Sequence, residues 1–133
     1  MKSYTDLEQS KKLAEILPLE SADMRYGYTA PYDYSDRMYD GGYDEIPYPK
    51  DFLIKNPNFS ANEYDAELPC WSLTALLNVL ELPTLEKCNI GKDKTGWMVT
   101  VYHNNSRYDS FFYNEPVDAC YEVILKLHEL KML

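Results

Sequence analysis

The chain has 133 residues, of which 45% are hydrophobic and 14% aromatic, and its formal net charge is −9. That length fits one domain whose core needs neither metal nor disulfide support, and the aromatic share excludes wholesale disorder. The acidic balance, with no basic cluster longer than Lys11-Lys12, excludes phosphate-backbone recognition and docking on an anionic membrane.

Residues 5–17, TDLEQSKKLAEIL, have the spacing of an amphipathic helix. Leu7, Ser10, Ala14 and Leu17 share one side, and Leu13 and Ile16 widen the apolar stripe. Thr5 and Glu8 are spaced as a capping box, and Pro18 stops the helix.

Residues 18–68 form one long stretch with neither a helical nor a strand period, interrupted by several prolines. Seven of the 13 tyrosines fall within residues 26–49, YGYTAPYDYSDRMYDGGYDEIPYP, among four aspartates, one glutamate and one arginine, a local charge of −4. Such a stretch inside a compact domain is either functional or disordered. Tyrosine offers large amphipathic area at low entropic cost. The expectation is an ordered acidic segment that wraps the body and presents Tyr32, Tyr34, Asp36, Tyr39, Asp40, Tyr43 and Asp44 as a binding surface.

Residues 69–82, PCWSLTALLNVLEL, give the strongest helical pattern, with Leu73, Leu76, Leu77 and Leu80 at i, i+3, i+4 and i+7. Pro69 suits the first helical position and Pro83 closes the segment. Strands are predicted over 85–90, 97–103 and 107–113, joined by turns at GKDKTG and NNS. Trp97, Val99 and Val101 alternate with Met98, Thr100 and Tyr102, whereas RYDSFFY alternates less cleanly. Residues 115–131 form the last helix, opened by Pro116, with Val117, Cys120, Tyr121, Ile124, Leu127 and His128 inward and an i, i+4 pair between Glu122 and Lys126. The expected fold is α+β in the order α-loop-α-β-β-β-α: a three-stranded antiparallel meander packed with three helices, in a single domain over 1–133.

The blocks LEQSKKLAEILPLESADM, PCWSLTALLNVL and PVDACYEVILKLHEL resemble those of a family of small uncharacterised proteins from gut anaerobic bacteria and their mobile elements. The resemblance implies a bacterial, intracellular accessory protein and brings no site residue with it.

Catalytic chemistry has one candidate pair. If Cys70 opens a helix, the dipole lowers its pKa, and His103 follows at the end of a strand, the chain order of papain-like cysteine proteases. The glycines and second cysteine of that motif are missing. The bland reading is a small buried hydrophobe beside a core tryptophan. DYSDRMYDGGYDE fails the register of a calcium loop from either Asp33 or Asp36, and three dispersed cysteines build no zinc site. No metal and no cofactor is expected. The start, MKSYTDLEQSKK, lacks the apolar run of a signal peptide, and no stretch is long enough to span a bilayer, so a cytoplasmic location is expected. The favoured reading is a non-catalytic module that binds another protein, with no direct contact to nucleic acid or membrane. A nucleic-acid-mimicking inhibitor and a cysteine hydrolase using Cys70 and His103 are the alternatives.

Overall fold

The computed structural model describes residues 1–29, 32–34, 37–39, 42–43, 45–49, 68–81, 87–103 and 106–133, with the backbone alone for 28–29, 32–34, 37–39 and 87–89. Three helices, α1 (Leu7–Ile16), α2 (Leu73–Leu80) and α3 (Pro116–Glu129), combine with antiparallel strands into an α+β fold.

The meander is present as β8 (Lys87–Asp93), β9 (Gly96–His103) and β10 (Ser106–Asp109), with β9 central. The first turn is tighter than GKDKTG suggests. Asp93 pairs with Gly96, leaving Lys94 and Thr95 as a two-residue loop. The Asp93 carboxylate accepts from Thr95 N at 2.7 Å and Thr95 Oγ1 at 2.6 Å, and these hydrogen bonds hold it below the usual carboxylate range. Val99 and Val101 point inward and are fully buried. They meet α3, which packs on β9 and in turn on α2. Trp71, Leu76, Leu80, Val117, Ile124 and Leu127 close the main core with no exposure.

Several helix boundaries differ from the sequence reading. The α1 cap is Asp6, not Thr5. Asp6 Oδ1 accepts from Gln9 N at 2.8 Å while Gln9 Oε1 accepts from Asp6 N at 3.1 Å, so the box sits one residue later. Pro69 does not open α2. It lies in strand β7 (Leu68–Cys70), opposite Arg25, at the edge of a sheet whose central strand is β1 (Met24–Tyr26) and whose other edge is β6 (Tyr48–Pro49). An edge strand tolerates a residue that cannot donate. Ser72 is the real N-cap, its hydroxyl accepting from Ala75 N at 3.1 Å. His128 is exposed rather than inward. Glu122 turns to the sheet, where its Oε2 accepts from Phe111 N at 3.0 Å.

The N-terminus ties the layers together. Lys2 Nζ donates to Asp118 Oδ1 at 2.7 Å, Gln9 Oε1 at 2.9 Å and Asp6 Oδ2 at 3.1 Å, linking the starts of α1 and α3.

Candidate functional site

Where the sequence shows no strand period over 18–68, the described part carries six short strands, after a single 3-10 turn at Leu19–Ser21. They are β1 (Met24–Tyr26), β2 (Tyr28–Thr29), β3 (Tyr32–Tyr34), β4 (Arg37–Tyr39), β5 (Gly42–Tyr43) and β6 (Tyr48–Pro49). β2 pairs with β5 and β3 with β4, both antiparallel. Tyr28↔Tyr43, Thr29↔Gly42, Tyr32↔Tyr39, Asp33↔Met38 and Tyr34↔Arg37 all keep one register. The ribbon stands on β1–β6, paired as Met24↔Pro49 and Arg25↔Tyr48, where the return side holds two more residues.

One register has a consequence for the tyrosines. Residues opposite each other in an antiparallel pair share a face, and faces alternate with period two. Positions 32, 34 and 39, all tyrosine, therefore fall on one side of β3–β4, with Arg37, and positions 28 and 43, both tyrosine, share one side of β2–β5. Asp33 and Met38 occupy the other side of β3–β4, and Thr29 and Gly42 the other side of β2–β5. Asp36, Asp40 and Asp44, also expected at this surface, lie outside the described residues, as does 50–67.

The base of the ribbon is held by a buried polar cluster. Tyr26 is 2% exposed and its hydroxyl donates to the Thr5 carbonyl at 2.7 Å. Cys70 Sγ lies 3.4 Å from the same oxygen, and Thr5 Oγ1 meets Ser10 Oγ at 2.7 Å and accepts from Trp71 N at 3.2 Å. Thr5 N also donates to Trp71 O at 2.9 Å, which joins the segment before α1 to the β7–α2 junction. Asp23 clamps the same junction, accepting from Ser72 N at 2.9 Å and from the Ser72 hydroxyl. Tyr43 packs on this second core of Tyr26, Leu68 and Cys70, and Lys11 Nζ lies 5.7 Å from its ring centroid. Tyr43 thus faces α1 at the base of the ribbon.

The same geometry argues against Cys70 as an exposed nucleophile. Cys70 is in a strand, not at a helix N-terminus, and is fully buried. Burial pushes its thiol up, outweighing the hydrogen bonds from Thr5, Ser10 and Tyr26. A thiol that is sealed and held neutral is a poor nucleophile. His103 ends β9 in the other sheet, half-buried and paired by register with Ser106. No group of three potential metal-ligating side chains occurs among the described residues. No helix among them is long and apolar enough to cross a membrane.

A second surface feature escapes sequence reading. Beyond Asp109 the third strand holds β9 at two points: Ser110 N donates to Val99 O at 2.9 Å, and Trp97 and Tyr113 exchange bonds of 2.7 and 2.9 Å. One residue separates the contacts on β9 but two separate them on the other chain segment. Phe111 and Phe112 therefore stand opposite Met98 as a β-bulge. Ser110 Oγ accepts from Val99 N at 2.9 Å and donates to Phe111 O at 2.7 Å. Gly96 has φ +131°, and a Cβ there would lie 2.4 Å from Tyr113 O, so this close approach requires glycine. The bulge leaves Phe111 76% exposed and Phe112 43% exposed. The uneven alternation of RYDSFFY is the trace of it in sequence.

Comparison with protein-family models, with curated proteins and with solved structures finds no match to this chain.

Proposed function

We propose that the protein is a non-catalytic module that binds another protein through the tyrosine side of the 24–49 ribbon. The register of β2–β5 and β3–β4 carries this reading, because it sets tyrosine opposite tyrosine in both pairs, 28↔43 and 32↔39, with Tyr34 at a position on the same face as the second pair. Preorganised aromatic side chains are the usual anchors of protein interfaces, and a ribbon fixed at its base presents them at a reduced entropic cost. The base is fixed by Tyr26 and Tyr43, whose contacts lie in the second core. The local charge of −4 over 26–49 favours a partner with a basic rim. A bacterial accessory role, as the resemblance in sequence implies, fits such a module.

The test is affinity capture with the wild-type chain and with Tyr32→Ala/Tyr34→Ala/Tyr39→Ala, followed by titration of the recovered partner. The triple variant should weaken binding by about 2 kcal/mol or more, as loss of aromatic anchors does. A partner that binds the triple variant within about 0.5 kcal/mol of wild type places the surface elsewhere.

A further inference from the structure

The end of α1 and the turn that follows it form one wall of a cavity of about 420 Å³. Leu17 and Pro18 line it together with Ala75 and Val79 of α2, and Leu133 borders it from the far end of the sequence. These walls are built in advance. Leu17, Ala75 and Val79 are only 7%, 4% and 6% exposed. The Ser21 hydroxyl, also at the cavity, accepts from Trp71 Nε1 at 2.9 Å and donates to Pro18 O at 2.6 Å, which pins the turn to the core tryptophan. Preformed concavities of this size, mainly apolar with a few polar groups, are the usual sites of small ligands.

Charge selects the ligand. Among the described residues no lysine, arginine or histidine lines the cavity, and its ionisable side chain is Glu20. Glu20 is exposed and makes no ion pair among the described residues. The end of α1 has the same sign, because a helix leaves its last carbonyls without donors and a partial negative charge collects there. Pro18 has no N–H to return to Ala14 O, and the last turn of α1 holds no basic side chain. Asn78, exposed on α2, adds an amide oxygen. Apolar walls beside an uncompensated carboxylate match a ligand with an apolar body and one positive charge. An anion of the same shape meets repulsion.

We propose that the cavity between α1 and α2 binds a small organic cation, an aryl or alkyl ammonium whose apolar body enters beside Leu17 and Val79 and whose charge stays at the mouth with Glu20. The described lining residues all lie outside the 24–49 ribbon, so the site is independent of the tyrosine surface. An ammonium beside an exposed carboxylate keeps part of its hydration. The apolar body therefore supplies most of the affinity, and Glu20 supplies the choice of charge.

Tryptamine, titrated into the isotope-labelled whole chain and followed by backbone amide shifts, tests this. Saturable shifts are expected at Ile16, Leu17, Ala75 and Val79, with a Kd of about 1 mM or below. Indolepropionate, the same ring system with the opposite charge, should bind at least about fivefold more weakly. Glu20→Gln, at an exposed position that leaves the fold intact, should remove most of that difference. Val79→Phe, whose ring fills the cavity, should weaken tryptamine roughly tenfold or more. The absence of saturable shifts at these residues up to about 10 mM tryptamine overturns the proposal. So does equal binding of the two indoles, or a preference for tryptamine that Glu20→Gln leaves unchanged.

Discussion

The amide of Phe111 donates to Glu122 Oε2 at 3.0 Å, so a carboxylate on α3 satisfies a backbone group that the bulge takes out of the β9–β10 ladder. The same carboxylate lies by Tyr113. Burial and the Glu122 hydrogen bond raise the phenol of Tyr113. Glu122→Ala should therefore cost about 1 kcal/mol in chemical denaturation, the usual worth of such a bond. Glu122→Gln, which keeps an acceptor, should lose less. Equal losses in the two variants would remove the bond from the account.

Gly96 is the hinge on which the bulge depends. A side chain there meets the Tyr113 carbonyl in a conformation that L-residues avoid. Gly96→Ala should destabilise the protein by about 2–3 kcal/mol. Gly91, with open space around its would-be Cβ, is the control, and Gly91→Ala should change stability by less than about 1 kcal/mol. A denaturant series on both variants makes the comparison.

The Thr5–Tyr26–Cys70 cluster predicts a pH dependence. Burial raises both the Tyr26 phenol and the Cys70 thiol above their unfolded values. A raised pKa means that the folded state favours the protonated form. The stabilisation is fully present below the unfolded pKa values, near 9 for the thiol and 10 for the phenol. It is lost as pH rises through the folded values. Stability should thus fall steeply above those unfolded values, and Tyr26→Phe should flatten the decline while costing about 1–2 kcal/mol at neutral pH. An alkaline slope that Tyr26→Phe leaves unchanged would contradict the assignment.

Cys70 and Cys120 are fully buried. Peptide mapping after brief alkylation of the native protein should find both unmodified, with labelling appearing only through the unfolding transition. Rapid native modification of Cys70 would reopen the hydrolase reading that its geometry argues against.

The helices and the meander were legible in sequence because each carries a sustained period. Leu73, Leu76, Leu77 and Leu80 repeat at helical spacing, and Trp97, Val99 and Val101 repeat at strand spacing. Boundaries were less legible. Pro69 and Ser72 both suit a helix start, and only pairing with β1 decides that Pro69 belongs to a strand. Asp6 took the cap because Thr5 was needed in the buried cluster, a tertiary demand that local spacing does not encode.

The ribbon was hidden for a different reason. Its tyrosines meet across paired segments, 28 opposite 43 and 32 opposite 39, so the pattern exists only after the turn is placed. Read along the chain, 28, 32 and 34 look unrelated to 39 and 43. The bulge was likewise visible only as a flaw in alternation. A flaw in a strand pattern and an extra residue in a strand are the same observation, and the sequence alone does not say on which side the rings emerge.

The measurement that bears most directly on this account is the ribbon's register in solution. Backbone nuclear Overhauser contacts should link residues 32 to 39 and 34 to 37 across the strands. Contacts that instead link 32 to 38, or 34 to 36, would turn one strand's side chains to the opposite face, divide the tyrosines between two faces, and contradict the proposed binding surface.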